Sequence, residues 1–408
     1  MISRKKQSIL IKLIIVLISS CLLFRYLIFT RKFNLINNIY FQLPFILTNE
    51  KVCTNIKLLF DKHLDSSYSA TIIDQNGNII GKYNEQISRI PASNIKLFST
   101  AYVINNVKPS DYLQTSLYKK DDFTFYILGS GDPDLSWTDI RKLLNEIDIK
   151  NEININLVEV SEEVYWPNGW TVDDRNLSYG APITLLALNS NQNLYTDIYT
   201  LKNKVFDYFL LFLPADKIKI SIVDYDEFNK NNLKLVSSVN SNNFISLITL
   251  ANSISHNYTA EILYKNISNT WGLTNYEILK NWLLKKGLPI DGIYLYDASG
   301  LSRNNRVTTY FMSLFMYKML YSQRFDDFKS SLSILGVRGT LEKLLKDNKI
   351  AGQFFAKTGT LSDTFALTGY LYNDEKPLIV SIIQNSDNIN RVKVFDLLED
   401  LYEIDDCL

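Results

Sequence analysis

The segment RIPASNIKLFSTAYVINN, residues 89–106, poses an electrostatic problem. Ser93 before an apolar run reads as a helix N-cap, and the favoured residue three positions on is Glu or Gln. Here that residue is Lys96, a cation facing the positive end of the helix dipole, which is unfavourable by up to ~1 kcal/mol. Ile95, Leu97, Phe98, Ala101, Tyr102 and Ile104 cover most of the circumference, so the helix is predicted to be central and buried. An amine placed there beside a hydroxyl calls for a chemical reason.

Outward from this helix, KVCTNIKLLFDKHL has helical periodicity, with Val52, Ile56, Leu59 and Phe60 sharing a face. YSATIIDQNGNIIGKYNE gives two strand-like runs around Asn76-Gly77, a hairpin signal. Residues 111–235 mix strand-like runs (FTFYILGSG, DYFLLFLPADKIKISIV) with turn clusters (GSGDPD, WPNGW) and read as an inserted β-rich domain. The pattern is helical again from NNFISLITLANSISHNYTAEILYKNI through NYEILKNWLLKKG. FFAKTGTL, TFALTGYLYN and KPLIVSIIQN read as three antiparallel strands, the last two joined at Asn373-Asp374-Glu375, before a closing helix NRVKVFDLLEDLYEI. Two strands early and three late predict an α+β fold, with one antiparallel five-stranded sheet built from both ends of the chain and flanked by helices.

The 408 residues carry 43 basic and 43 acidic side chains, so the basic excess usual in nucleic-acid binders is missing. An apolar fraction of 46% fits a globular chain. Two histidines, His63 and His256, leave little material for a His-based triad. The three cysteines, Cys21, Cys53 and Cys407, lack C-x-x-C spacing, and no metal or cofactor is expected. The N-terminus differs in kind. After the basic MISRKKQ, Lys12 and Arg25 bracket 12 uncharged residues, Leu13–Phe24, which suits the apolar region of a secretory signal. The longer run from Ile9 to Phe29 spans a bilayer if those two cations snorkel, and ISSC ending at Cys21 resembles a bacterial lipobox. Residues 1–33 are therefore read as a signal peptide or membrane anchor and 34–51 as a tether, which predicts export.

Three short patterns carry chemistry: Ser93-x-x-Lys96, Ser302-x-Asn304 and Lys357-Thr358-Gly359. Ser-x-x-Lys and Ser-x-Asn recur elsewhere in the chain, whereas Lys-Thr-Gly occurs once. Their order and settings, a helix start, a Gly-containing loop and a strand, match the set found in penicillin-binding proteins and class A β-lactamases. With PASNIKL, LGSGDPDL, NLSYGAPI, SHNYTAEIL, YDASGLSRNNRVT, RGTLEKL and AKTGTLSDTFALTGYL, the chain resembles the D-alanyl-D-alanine carboxypeptidase/endopeptidase family of penicillin-binding proteins. That is the low-molecular-mass class with a large insert between its first two motifs. The resemblance runs from about Val52 to the C-terminus. It implies a penicillin-binding, transpeptidase-like fold with a helical subdomain, a peptidase domain made of residues 52–110 and 236–408, and an inserted domain over 111–235.

The physical logic of the motifs is that a serine needs a neighbouring base, and a Ser-Lys dyad is one solution. One helical turn puts Lys96 on the face of Ser93. Its pKa has to fall, and burial, a second cation (Lys357) and the helix terminus all push that way. The resemblance further implies that Ser302 relays a proton to the leaving amine and that Asn304 holds a substrate amide. Lys357, Thr358 and Thr360 would receive a peptide carboxylate, Gly359 would leave room for the backbone, and the N–H groups of Ser93 and Thr360 would form an oxyanion hole. His256 and Asn257 fall where the family usually has a Ser-x-Asn-like pattern, and His256 is read as structural. The implied activity is a serine DD-peptidase of the bacterial periplasm acting on peptidoglycan stem peptides, held at the inner membrane, with β-lactams as inhibitors. A β-lactamase or esterase using the same dyad, and a silent wall-binding protein, are the alternatives. The insert is short for the family. The family's packing of first against last helix would bring Cys53 near Cys407.

Overall fold

The computed structural model describes residues 51–147, 151–192, 198–273, 276–373 and 376–404. The expected leader and nearly all of the tether lie outside them, as do Asp374 and Glu375 of the expected hairpin turn. Among the described residues no helix is long and apolar enough to cross a membrane.

The first part of the chain runs α1 (Thr54–His63), β1 (Tyr68–Ile73), β2 (Ile79–Tyr83), α2 (Ile95–Asn106), β3 (Tyr112–Lys119), β4 (Thr124–Leu128) and α3 (Trp137–Leu144). Next come β5 (Ile153–Glu159), the single turn α4 (Val172–Arg175), α5 (Ile198–Leu210), β6 (Ile218–Asp224) and β7 (Lys234–Asn243). Helices α6 (Phe244–Ser253), α7 (Asn257–Ser268), α8 (Glu277–Lys285), α9 (Thr309–Leu320) and α10 (Phe325–Ser331) follow. The chain closes with β8 (Ser333–Ile334), β9 (Phe354–Leu361), β10 (Thr364–Asn373), β11 (Lys376–Asn385) and α11 (Arg391–Tyr402).

Both ends of the chain build one antiparallel sheet in the order β2-β1-β11-β10-β9-β8. The five expected strands are joined by a sixth of only two residues, too short to carry a readable period. Strand β10 is buried from Thr364 to Leu371 because layers cover both of its faces. Phe365, Leu367 and Leu371 pack in a core with Ile56 and Phe60 of α1 and Leu397 and Leu398 of α11. Ala366 and Tyr370 belong to the opposite core with Phe98 of α2 and Phe315 of α9. The cross-strand partners Thr368 and Ser381, both buried, bond each other at 3.0 Å. Without that bond each hydroxyl would cost about 1–3 kcal/mol.

Helices α1 and α11, the first and last of the described residues, pack together, with His63 Nε2 2.6 Å and Lys62 Nζ 2.8 Å from the Asp400 carboxylate. Helix α1 begins at Thr54, so Val52 misses the expected face and is 41% exposed. Cys53 is disulfide-bonded, and its expected partner Cys407 lies outside the described residues.

Helix α2 is buried all round, as its sequence requires: Ile95, Leu97, Phe98, Ala101, Val103 and Ile104 have no exposed surface. The Phe98 ring meets Phe311 and Phe315 edge-on, with centroids 5.4 and 4.8 Å away. Phe98→Ala is expected to cost about 3–5 kcal/mol, read as a lower urea midpoint at unchanged m-value.

The insert departs from expectation in three ways. Its five-stranded sheet, ordered β6-β5-β4-β3-β7, is mixed, because β4/β5 and β5/β6 run parallel. Parallel neighbours need crossovers, and α3 and α5 supply them. Of the DYFLLF run, read as strand, residues 207–210 are the end of α5, where Val205 and Phe209 are buried one turn apart, and 211–212 form the turn that follows. The insert also extends past 235 to Asn243, because β7 is an edge strand pairing with β3. Only Val239 of β7 is buried, so its KLVSSVNSNN sequence has no apolar alternation to reveal it. Asn243 then caps α6 by accepting the Ser246 N–H at 3.0 Å. Tyr165, Trp170, Ile183, Leu185 and Ala187 of the insert join the core around α2.

Candidate active site

Ser93 does not cap the helix. It lies within a 3-10 turn, Ala92–Asn94, that runs straight into α2, and no side-chain cap is made at its start. The turn is entered through Ala92 at φ +47°. That left-handed conformation is uncommon for a residue with a Cβ and marks a constrained backbone. Gly300 and Gly359 clamp this turn. A Cβ on Gly300 would meet the Ala92 carbonyl at 1.9 Å, and one on Gly359 the Pro91 carbonyl at 2.6 Å.

Lys96 has no exposed surface. Its Nζ donates to Ser93 Oγ at 3.1 Å, to Asn257 Oδ1 at 2.6 Å and to the Ser299 carbonyl at 2.6 Å. Burial pulls its pKa from the ordinary lysine value down to about 7, against Asp297 and Glu261, whose carboxylates favour the cation. The lysine is therefore as much neutral as charged near neutrality. The expected push from Lys357 falls on that residue instead. Lys357, also fully buried, is lowered well below the usual lysine range by burial and by the Lys96 charge. Its Nζ donates to Ser255 Oγ at 2.8 Å and to the Thr358 carbonyl at 2.7 Å.

Two acidic residues hold this arrangement. Glu261 Oε1 accepts the N–H groups of Ala298 and Ser299, and Oε2 accepts the Tyr276 hydroxyl. Asp297 accepts the Gly300 and Ser302 N–H groups and the Trp170 indole N–H. Together they fix the loop whose Ser299 carbonyl meets Lys96. A cleft opens at Ser93 in two lobes. One, about 390 Å³, is lined by Asn257, Gly300, Asp174, Tyr179 and Arg303 among others. The other, about 610 Å³, runs past Thr358 and Thr360 towards α11. Among the described residues no group of three or more His, Cys, Asp or Glu could hold a metal ion.

A serine hydroxyl hydrogen-bonded to a buried, half-neutral amine at the turn before a central helix is the arrangement of an activated nucleophile. The sequence profile of the D-Ala-D-Ala carboxypeptidase 3 (S13) family matches residues 56–204 and 218–400. The chain belongs to this family. The D-alanyl-D-alanine carboxypeptidase of Actinomadura sp. (strain R39) is 33% identical over 144 residues, 32% of this chain. The chain thereby spans about a quarter, 26%, of that relative's length. Penicillin-binding protein 4 of Haemophilus influenzae superposes with a TM-score of 0.68 at 17% identity, covering 86% of this chain and 99% of that one. A predatory endopeptidase of Bdellovibrio bacteriovorus gives 0.54 at 17% identity over 82% of this chain and 90% of that one. The fold of this S13 chain is thus that of the penicillin-binding proteins.

Within the S13 site, Ser93, Lys96, Lys357, Thr358, Gly359 and Thr360 come together, but Ser302 and Asn304 do not join them. The Ser302 Oγ is buried and donates to the Asn168 carbonyl at 2.6 Å. Asn304 is exposed, with its amide beside Gly169. Neither lines the cleft at Ser93. The YDASGLSRNN loop is a scaffold tied to Asp297, and the positions expected of Ser302 and Asn304 are held by Ser255 and Asn257. Ser255 accepts the hydrogen bond from Lys357 Nζ, while Asn257 accepts from Lys96 and donates its amide N–H to the Tyr179 carbonyl at 3.0 Å.

Ser255 reaches this place because α6 stops at Ser253 and the backbone turns through φ +67° at Ser255 before α7 starts. The signal in the sequence was the Ser/Asn cluster NSISHN between two apolar periods. His256, between them, is pushed down to about 4 by burial and the Lys96 charge, and its ring nitrogens bond Thr259 and Gln192. That placement agrees with a structural part. Ser255→Ala is expected to lower the acylation rate on the order of 10²–10³-fold, the scale of losing one proton-transfer partner, whereas Ser302→Ala changes it by less than about fivefold. Stopped-flow acylation by a chromogenic β-lactam measures both.

Proposed function

We propose that this chain is a serine DD-peptidase. It hydrolyses D-Ala-D-Ala termini or D-amino-acid cross-links of peptidoglycan through an acyl-Ser93 intermediate, and β-lactams inhibit it by acylating the same serine. The single observation that carries the reading is the buried Lys96 amine, 3.1 Å from Ser93 Oγ and half deprotonated near pH 7. A base with a pKa near the working pH combines the right protonation state with driving force for proton transfer.

In the proposed cycle, neutral Lys96 takes the Ser93 proton as Oγ attacks the carbonyl carbon of the scissile amide. The N–H groups of Ser93 and Thr360 receive the oxyanion. The C–N bond then breaks and the departing amine leaves with the proton, relayed through Lys96 and the Ser255 hydroxyl. Water, deprotonated the same way, cleaves the acyl ester and frees Ser93. A substrate carboxylate meets the hydroxyls of Thr358 and Thr360 and the amine of Lys357. An arriving anion favours the protonated form of Lys357, and the new cation lowers Lys96 further, so substrate binding prepares the base. Asn257 holds the substrate amide.

The cationic flanks and apolar run at the N-terminus support export to the periplasm, with residues 1–33 as leader or inner-membrane anchor. Product analysis on defined muropeptides tests the activity. The expected result is release of free D-alanine, loss of cross-linked dimers, or both. Absence of both, with no penicillin acylation, would leave a silent wall-binding protein.

A further inference from the structure

A row of hydroxyl groups reaches the larger lobe of the cleft from behind. The Ser253 carbonyl, at the last residue of α6, accepts the Ser333 hydroxyl at 2.9 Å. Ser333 Oγ lies 3.0 Å from Thr340 Oγ1, and Thr340 Oγ1 lies 2.7 Å from Thr358 Oγ1. Thr340 and Thr358 both line the lobe that opens at Ser93. The row is built into the backbone. Thr340 sits in the 3-10 turn Gly339–Leu341, and Gly339 has φ +73°. A Cβ on Gly339 would stand 2.5 Å from the Ser253 carbonyl oxygen and 2.7 Å from Ser333 Oγ, so glycine is what lets the turn come this close.

The direction of these bonds follows from counting protons. A carbonyl oxygen only accepts, and a hydroxyl has one proton to donate. Ser333 donates to the Ser253 carbonyl, so in the next contact Thr340 is the donor. Thr340 has then used its proton, and Thr358 donates to Thr340. Ser253 and Ser333 are buried, whereas Thr340 is exposed. Leaving a buried carbonyl unpaired is the less favourable alternative, so the buried end fixes the order. The consequence appears at the open end. Thr358 turns its proton away from the cleft and offers the cleft an acceptor. A substrate carboxylate, which also only accepts, has to draw that proton away from Thr340.

We infer that Thr340 is a positioning residue that holds the Thr358 proton against the substrate, and so weakens the preference of the site for a terminal carboxylate over an uncharged carboxamide. The inference rests on the DD-peptidase reading, in which Thr358 meets the carboxylate, and adds what tunes that contact. A carboxamide has an N–H to donate, and the Thr358 oxygen accepts it with the row intact. A carboxylate gains the Thr358 hydrogen bond only as the bond to Thr340 is given up. The partners of Lys96 are Ser93, Asn257 and Ser299, all outside the row, so the effect falls on binding and not on acyl transfer.

The test compares an N-acylated peptide ending in D-Ala-D-Ala with the same peptide carrying a terminal carboxamide. Each is read by its KM where it is cleaved, and as a competitor of acylation by a chromogenic β-lactam whether or not it is cleaved. The proteins are the full chain and its Thr340→Val, Thr340→Ser and Ser333→Ala variants. Thr340→Val keeps the shape of the side chain and removes the acceptor of the Thr358 proton. The expected result is carboxylate-peptide binding tighter by about three- to tenfold, the scale of one competing hydrogen bond, with kcat and carboxamide binding changed by less than about twofold. Ser333→Ala frees Thr340 to donate to Thr358 and should act in the same direction, while Thr340→Ser restores the row and should match the parent. A Thr340→Val protein that binds the carboxylate peptide no better, or binds both peptides better or both worse, overturns the inference and spares the DD-peptidase reading. So does a Thr340→Ser protein that behaves as Thr340→Val, or a Ser333→Ala protein that weakens carboxylate binding. A parent that neither cleaves the peptide nor is acylated by penicillin would overturn the DD-peptidase reading and the inference with it.

Discussion

Ser93→Ala is expected to abolish covalent labelling by a fluorescent penicillin and to lower peptide hydrolysis on the order of 10⁶-fold, the scale of removing an activated serine from a hydrolase. The loss is chemical and not structural. The Ser93 hydroxyl caps no helix, and the hydrogen bond it accepts comes from Lys96 Nζ. The variant should therefore melt within a few degrees of the parent. Gel fluorescence after penicillin exposure, with a thermal scan beside it, checks both halves. Labelling that persists in a folded Ser93→Ala protein would place the nucleophile elsewhere.

Lys96→Met comes second, with acylation slowed about 10⁴-fold, the upper end of what a positioned general base contributes. The pH profile separates loss of a base from loss of shape. Burial places the Lys96 pKa at about 7 instead of 10.5, so the neutral, proton-accepting form is lost as pH falls through 7. In the parent, kcat/KM for acylation should fall tenfold per pH unit below about 7 and level off above it. The Lys96→Met protein should keep a small residual rate without that limb. A parent limb that appears only near pH 10 would mean that Lys96 stays an ammonium in the free protein. Asn257 loses a hydrogen-bond donor in the variant, so Lys96→Arg serves as the companion: it keeps a cation and donors but cannot deprotonate.

Both predictions turn on one lysine whose peculiarity, and whose burial, were legible in the primary sequence, while the charges around it were not. The spacing of Ser93 and Lys96 on a helix apolar all round foretold a buried amine beside a hydroxyl, and the structure has it. The second cation and the helix terminus were expected to help. Burial, expected alongside them, is the leading cause, and the nearby charges that act on Lys96 are the carboxylates of Glu261 and Asp297, which oppose it. Those residues lie about 165 and 200 positions downstream, and no local pattern announces that they will surround Lys96.

Local signals in the sequence by themselves determined the elements: the buried α2, the early hairpin, the three late strands and the closing helix. Each rests on a hydrophobic period or on Gly and Asn at a turn, which neighbouring residues settle among themselves. Tertiary structure alone decided which Ser-x-Asn serves the site. Ser255 and Ser302 carry the same short pattern, and only a left-handed backbone between α6 and α7 turns Ser255 towards Lys357, while Asp297 draws Ser302 into a scaffold. Strand β7 was settled in the same way, since a polar edge strand takes its conformation from the partner it pairs with. Period and propensity act over a few residues. The choice among equivalent side chains is made by contacts that exist only after the chain has closed on itself.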